Sequence, residues 1–203
     1  MIKSLTGIRS RIAITLTVAG IVAVSAPIFA NTASDELAPV ARHEKIGQLV
    51  TEFIQKSHYR HAAVNDELSS LVLDRYIEAL DSNRMYLLES DVAAFENYRY
   101  LLDDMFRSEP LDPVFDMFQV YRSRVRDRLE FALLQLQTEP DFSIDEEYVF
   151  DREDLPWATT TEELDEIWRK RVKNDALSHA QADKEWPEIQ EGLDKRYSRF
   201  IKR

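Results

Sequence analysis

Apolar positions along this chain recur at steps of three and four residues, with polar positions between them, almost from residue 39 to the end. That period predicts helices, each burying one stripe. The first is expected from about Pro39 to His58, with Ile46, Leu49, Val50, Phe53 and Ile54 inward. Asn65 or Asp66 caps a second, whose stripe is Leu68, Leu71, Val72, Tyr76, Ala79 and Leu80. Asp81-Ser82-Asn83 is turn material. Ser90 is expected to cap a third helix, with Val92, Phe95, Tyr98, Leu102, Met105 and Phe106 inward. Asp112 at an N-cap and Pro113 at the first helical position open a fourth. Its stripe of Val114, Phe118, Tyr121, Val125, Leu129, Ala132, Leu133 and Leu136 makes it the longest element, ended by Glu139-Pro140.

The period lapses over residues 141–160. This stretch, DFSIDEEYVFDREDLPWATT, reads as an ordered acidic loop pinned by Phe142, Tyr148, Phe150 and Trp157. Thr160 and Glu163 then form a capping box for a fifth helix burying Leu164, Ile167, Trp168, Val172 and Ala176. Pro187 opens a sixth, with Ile189, Leu193, Tyr197, Phe200 and Ile201 on one face. No Gly, Asn or Pro stops its pattern before Arg203. It is therefore read as running on toward a further segment, with Phe200 and Ile201 wanting a partner. The competing reading is that Lys202 and Arg203 simply suit a helix C-terminus. The fold class expected is all-α: a single domain of about six helices, elongated around the fourth.

The first thirty residues stand apart. Lys3, Arg9 and Arg11 precede an uncharged run from Ile12 to Phe29, and Ala30 offers a small residue for cleavage. These are the parts of a secretory signal peptide, so residues 1–30 are assigned as one and 31–203 as the mature domain. The run is also long enough to span a bilayer as an uncleaved anchor, although Gly20 and Pro27 weaken it as a permanent helix. Export to the bacterial periplasm is expected. Removing residues 1–30 takes away three cations and no acid, moving the formal net charge from −11 to −14. Such a surface disfavours nucleic acid and anionic membranes. There is no cysteine, hence no disulfide and no thiolate zinc site.

Candidate chemistry is thin. His43-Glu44 begins like a metalloprotease helix, but Gly47 stands where the second histidine is required. His58 and His61 are three apart with no carboxylate at matching spacing, so they read as a surface pair. Asp141, Ser143 and Asp145 imitate a calcium loop. Glu146 and Arg152 then replace its glycine and its bidentate glutamate. A loose divalent site among Asp145, Glu146 and Glu147 is the alternative to a solvated loop. Arg122, Arg124, Arg126 and Arg128 alternate onto two helix faces, with Asp127 and Glu130 near enough to pair locally. Arg169, Lys170, Arg171 and Lys173 sit late in the fifth helix, where the dipole favours them; solvation is expected, docking of an acidic partner the alternative. Trp157, Trp168 and Trp186 are core or loop anchors, or the wall of a groove for a helix.

Several landmarks carry a resemblance: His58-Tyr59-Arg60, Asp74-Arg75-Tyr76, Leu80-Asp81, Tyr86-Leu87-Leu88, Ser90-Asp91, Tyr121-Arg122, Pro156-Trp157, Trp168, and Arg196-Tyr197 with Phe200. In this order and spacing, from about Val40 to Arg203, the chain resembles the N-terminal helical domain of the bacterial tail-specific proteases. These are carboxy-terminal processing serine endopeptidases with a Ser/Lys dyad and a PDZ domain that reads apolar C-terminal tails. The resemblance implies a noncatalytic helical scaffold and docking domain, truncated before the PDZ and catalytic segments. Implied partners are the remainder of the protease or a helical-repeat lipoprotein adaptor. Contacts are expected from the first two helices and the open face of the sixth.

No catalytic, cofactor-binding or metal residue is assigned. Ser57, Ser69, Ser70, Ser82, Ser90, Ser108, Ser123 and Ser178 sit on predicted helices or caps, and none has a neighbouring glycine. Whether a protein with this domain is an enzyme is left open, and this chain alone is expected to be inactive. The alternative is a freestanding periplasmic interaction or inhibitor protein that reuses the domain.

Overall fold

The computed structural model describes residues 37–59, 63–108 and 110–202; the proposed signal peptide and His61 lie outside them. Seven α-helices and one 3-10 turn account for the regular structure: α1 Ala41–Lys56, α2 Asp66–Asp81, α3 Glu89–Phe95, the turn Glu96–Tyr98, α4 Leu102–Arg107, α5 Asp112–Gln135, α6 Thr161–Ala180 and α7 Trp186–Ile201. No strand occurs among the described residues; one isolated bridge joins Leu88 to Ala158. The all-α reading holds.

Two apolar cores share α5. One gathers Leu73 and Ile77 of α2, Phe95, Leu102 and Met105 of α3 and α4, and Met117 near the start of α5. The other gathers Leu129, Ala132 and Leu136 at the far end of α5 with Trp168, Val172 and Ala176 of α6 and Ile189, Leu193 and Tyr197 of α7. The long fourth predicted helix is therefore the shared spine, as its stripe implies.

Four details depart from the sequence reading. The expected third helix is broken, because the chain at 99–101 is taken over by α2. The buried Ser69 hydroxyl donates to Arg99 O at 2.8 Å and accepts from Leu102 N at 2.9 Å. Those bonds satisfy backbone groups that a continuous helix would have used internally. Second, α2 is rotated from its expected face. Ser69, Leu73, Ile77 and Asp81 are buried, while Leu71 is 53% exposed. Third, Ser90 and Asp112 lie inside their helices; Leu88 and Leu111 hold the N-cap positions. Fourth, α1 buries Gly47 and Thr51 and turns its apolar stripe outward.

The other signals fare better. Asn65 caps α2, its side chain accepting from Leu68 N at 3.2 Å. Thr160 caps α6, accepting from Glu163 N at 3.2 Å. The Glu163 carboxylate accepts from Thr159 N at 2.7 Å, with a weaker contribution from the N-cap amide of Thr160. In α7, Ile189, Leu193 and Tyr197 are buried as expected and Ile201 packs against their core, leaving Phe200 52% exposed.

Candidate docking surface

The hairpin between α2 and α3 is held by one carboxylate. Asp81 accepts from the amides of Met85, Tyr86 and Leu87 at 2.9, 2.8 and 2.9 Å. Burial lifts its carboxyl above the usual range, and the three amides with Arg152 pull it back. The turn it closes contains Arg84 at φ 50. The Trp168 indole donates to Met85 O at 2.6 Å, tying this hairpin to α6. Arg124 binds Asp91 through two hydrogen bonds of 2.8 and 2.9 Å, tying α5 to α3. Arg128, which is buried, pairs with Asp165 of α6. These two arginines thus reach across elements instead of pairing with Asp127 or Glu130.

The basic cluster of α6 is also spent internally. Arg169 pairs with Glu146 and Glu166, and Lys173 donates to Glu146 Oε1 at 2.6 Å and to Ile144 O at 2.9 Å. Glu146 is pulled down to about 2, first by its bond to Arg169 and then by Lys173. Arg171 lies 4.6 Å over the Trp168 ring. Beside the Glu146–Arg169–Lys173 group is a cavity of about 180 Å³, floored by Val172 and Pro140.

These bonds pin the acidic loop along α6. Asn83 fixes its far end, donating to Phe150 O at 2.9 Å and accepting from Arg152 N at 2.7 Å. Asp141 closes a turn on Ser143, accepting from its amide at 2.9 Å and its hydroxyl at 2.6 Å. Phe142 and Trp157 pack on the two cores. Phe150 does not anchor the loop; it is 68% exposed, with Tyr148 edge-on at 4.8 Å. The loop is held by Phe142 and Trp157 together with polar bonds, which hydropathy could not reveal.

Several of the described serines and histidines have structural partners. Ser70 Oγ accepts from Arg99 at 2.7 Å, and Ser178 donates to Asn174 O at 2.9 Å. His43 accepts from Val40 N at 3.2 Å and stacks on Phe115. His58 lies against Tyr59. No group of three His, Asp or Glu is placed to hold a metal among the described residues. No described helix is long and apolar enough to cross a membrane.

Exposed apolar side chains include two groups close together in sequence. On α1, Ile46, Leu49, Val50 and Phe53 are each more than half exposed. On the acidic loop, Ile144, Val149 and Phe150 face outward among carboxylates. Exposed apolar groups of this kind are candidate docking surfaces for protein.

The chain matches the family described as "Tail specific protease N-terminal domain" over residues 50–203. It is 34% identical over 154 residues to a tail-specific protease of Haemophilus influenzae, an alignment covering 75% of this chain and 22% of that protein. The chain therefore spans about a fifth of the length of the curated relative it matches. The match takes in both cores, the Asp81 hairpin and the acidic loop, and the chain belongs to the tail-specific protease N-terminal domain family.

Proposed function

We propose that this chain acts as the noncatalytic helical scaffold of a tail-specific serine endopeptidase of the periplasm. It positions and docks protein while bond cleavage resides elsewhere in the protease. The family match over residues 50–203 carries this reading. The site chemistry is consistent with it. Lys173 is ion-paired to Glu146 and bonded to a backbone carbonyl, so its amine is not a free base for a serine. The basic start and the uncharged run from Ile12 to Phe29 support export. Partners under this reading are the remainder of a tail-specific protease or a helical-repeat lipoprotein adaptor.

The test is an incubation of the purified full chain with a folded substrate bearing an apolar C-terminal tail. No turnover is expected, and cleavage would show that this chain carries its own catalytic centre. Adding the chain to an active tail-specific protease separates scaffold from inhibitor. Unchanged cleavage fits the scaffold. Stoichiometric inhibition would replace it with the freestanding inhibitor.

A further inference from the structure

The stripe on α1 is an apolar helix face that is more than half exposed. Ile46, Leu49, Val50 and Phe53 follow the i, i+3, i+4, i+7 pattern that elsewhere in this chain marks a buried face. Their exposures are 54%, 53%, 51% and 58%. The helix is attached by its opposite side. Gly47 lies against Phe106, Thr51 donates to Phe106 O at 3.4 Å, and His43 stacks on Phe115. An outward stripe of this kind marks a docking site.

Charge decides what it can meet. Arg42 lies one helical turn before Ile46, Lys45 one turn before Leu49, and Lys56 just beyond Phe53, all exposed. Lys56 is ion-paired to Glu52 at 2.8 Å, so the cations of the stripe that are in no ion pair among the described residues are Arg42 and Lys45, at its N-terminal end, in a chain with a formal net charge of −11. Parallel stripe-on-stripe pairing of two copies would set Arg42 and Lys45 against their counterparts, which is unfavourable.

The acidic loop is the complement. It exposes Ile144 at 57%, Val149 at 42% and Phe150 at 68%. Between and beside them stand Asp145, Glu147, Asp151, Glu153 and Asp154, exposed and in no ion pair among the described residues. Glu146, the inward carboxylate of the run, is the one consumed by Arg169 and Lys173. The loop is also fixed in advance by Asn83 and Lys173, which lowers the entropy lost on binding.

We propose that the α1 stripe of one copy docks on the 144–154 loop of a second copy. Apolar side chains form the centre of this contact, and Arg42 and Lys45 face the loop carboxylates beside it. The contact is head-to-tail: each copy offers a knob and a socket, so association continues into a ring or a chain of copies.

Sedimentation velocity on the full chain over a wide concentration range tests this. The average mass is expected to rise with concentration and to fall back in about 1 M salt, where the Debye length is about 3 Å. R42E/K45E on the stripe and D145K/E147K on the loop should each weaken association by about tenfold or more. All four positions are exposed, so the fold is expected to survive, as circular dichroism would verify. An equimolar mixture of the two variants should associate again, because each retains the surface the other lacks. A monomeric wild-type chain at every concentration would overturn the proposal and assign the stripe to another protein. Association indifferent to either pair of reversals, or a mixture that stays monomeric, would overturn it equally.

Discussion

At the scale of single residues, this fold is tied together by polar side chains that serve backbone or distant partners. Glu146 shows how much one such group can contribute and when. Its carboxyl titrates near 4.5 in an unfolded chain and is held down to about 2 here by Arg169 and Lys173. A lowered carboxyl binds fewer protons folded than unfolded, so its contribution is present above pH about 4.5. The contribution is then lost as pH falls from there toward about 2. Glu146→Gln removes it. The urea midpoint of the variant should therefore lie below wild type near neutral pH and converge with it in acid. Parallel curves across the whole range would mean that the ion pairs add nothing beyond packing. Ser69 and Asp81 make a different point. Both are buried, and both occupy positions where an apolar-stripe reading expects nothing. Their burial is explained by backbone groups they satisfy, at Arg99 and Leu102 for Ser69 and at residues 85–87 for Asp81.

At the scale of elements, the period of apolar residues located the helices well and chose their inward faces unevenly. The faces of α6 and α7 were legible because Leu164, Trp168, Val172, Ile189, Leu193 and Tyr197 are large and buried. The α2 face was not, since half of it is polar. The break between α3 and α4 was invisible because the residue that causes it, Ser69, lies about thirty positions away in sequence. For α1 the periodic stripe was seen correctly and its direction was not. A small-residue face of Gly47 and Thr51 permits the closer approach to α4, and hydropathy ranks that face last. The exposed stripe was legible only in part for the same reason: its residues look like core. Gly47 tests this account. A Cβ there would sit 3.4 Å from the Phe106 ring and carbonyl, a tight but tolerable contact. Gly47→Ala should leave α1 in place and gain up to about 1 kcal/mol of helix propensity. Gly47→Leu cannot fit and should lift α1 from α4. Amide exchange would then accelerate across 41–56 while 161–201 stays protected. Equal protection of α1 in both variants would show that it is held by something other than this contact.

At the scale of the whole molecule, two cores depend on one helix. Met117 serves the first core and Leu129, Ala132 and Leu136 the second, so α5 cannot unfold in one without exposing the other. Trp168 adds a second link by bonding Met85 O from α6, and Arg124 and Arg128 add two more through Asp91 and Asp165. Links of this number within one short chain favour a single cooperative transition over separate melting of the halves. Leu73→Ala empties space in the first core and Leu193→Ala in the second; both leucines are fully buried. Each should cost about 2–5 kcal/mol, the range for losing a buried leucine side chain. The sharper expectation concerns where the loss is felt. In a Trp157→Phe background the remaining tryptophans, Trp168 and Trp186, both report on the second core, yet Leu73→Ala in the first should shift their fluorescence midpoint in urea as much as it shifts helix content followed by circular dichroism. If these tryptophans instead report an unchanged midpoint while helicity is lost earlier, the two cores melt independently. The spine would then be a linker between two small bundles, and the scaffold would bend where α5 passes between them.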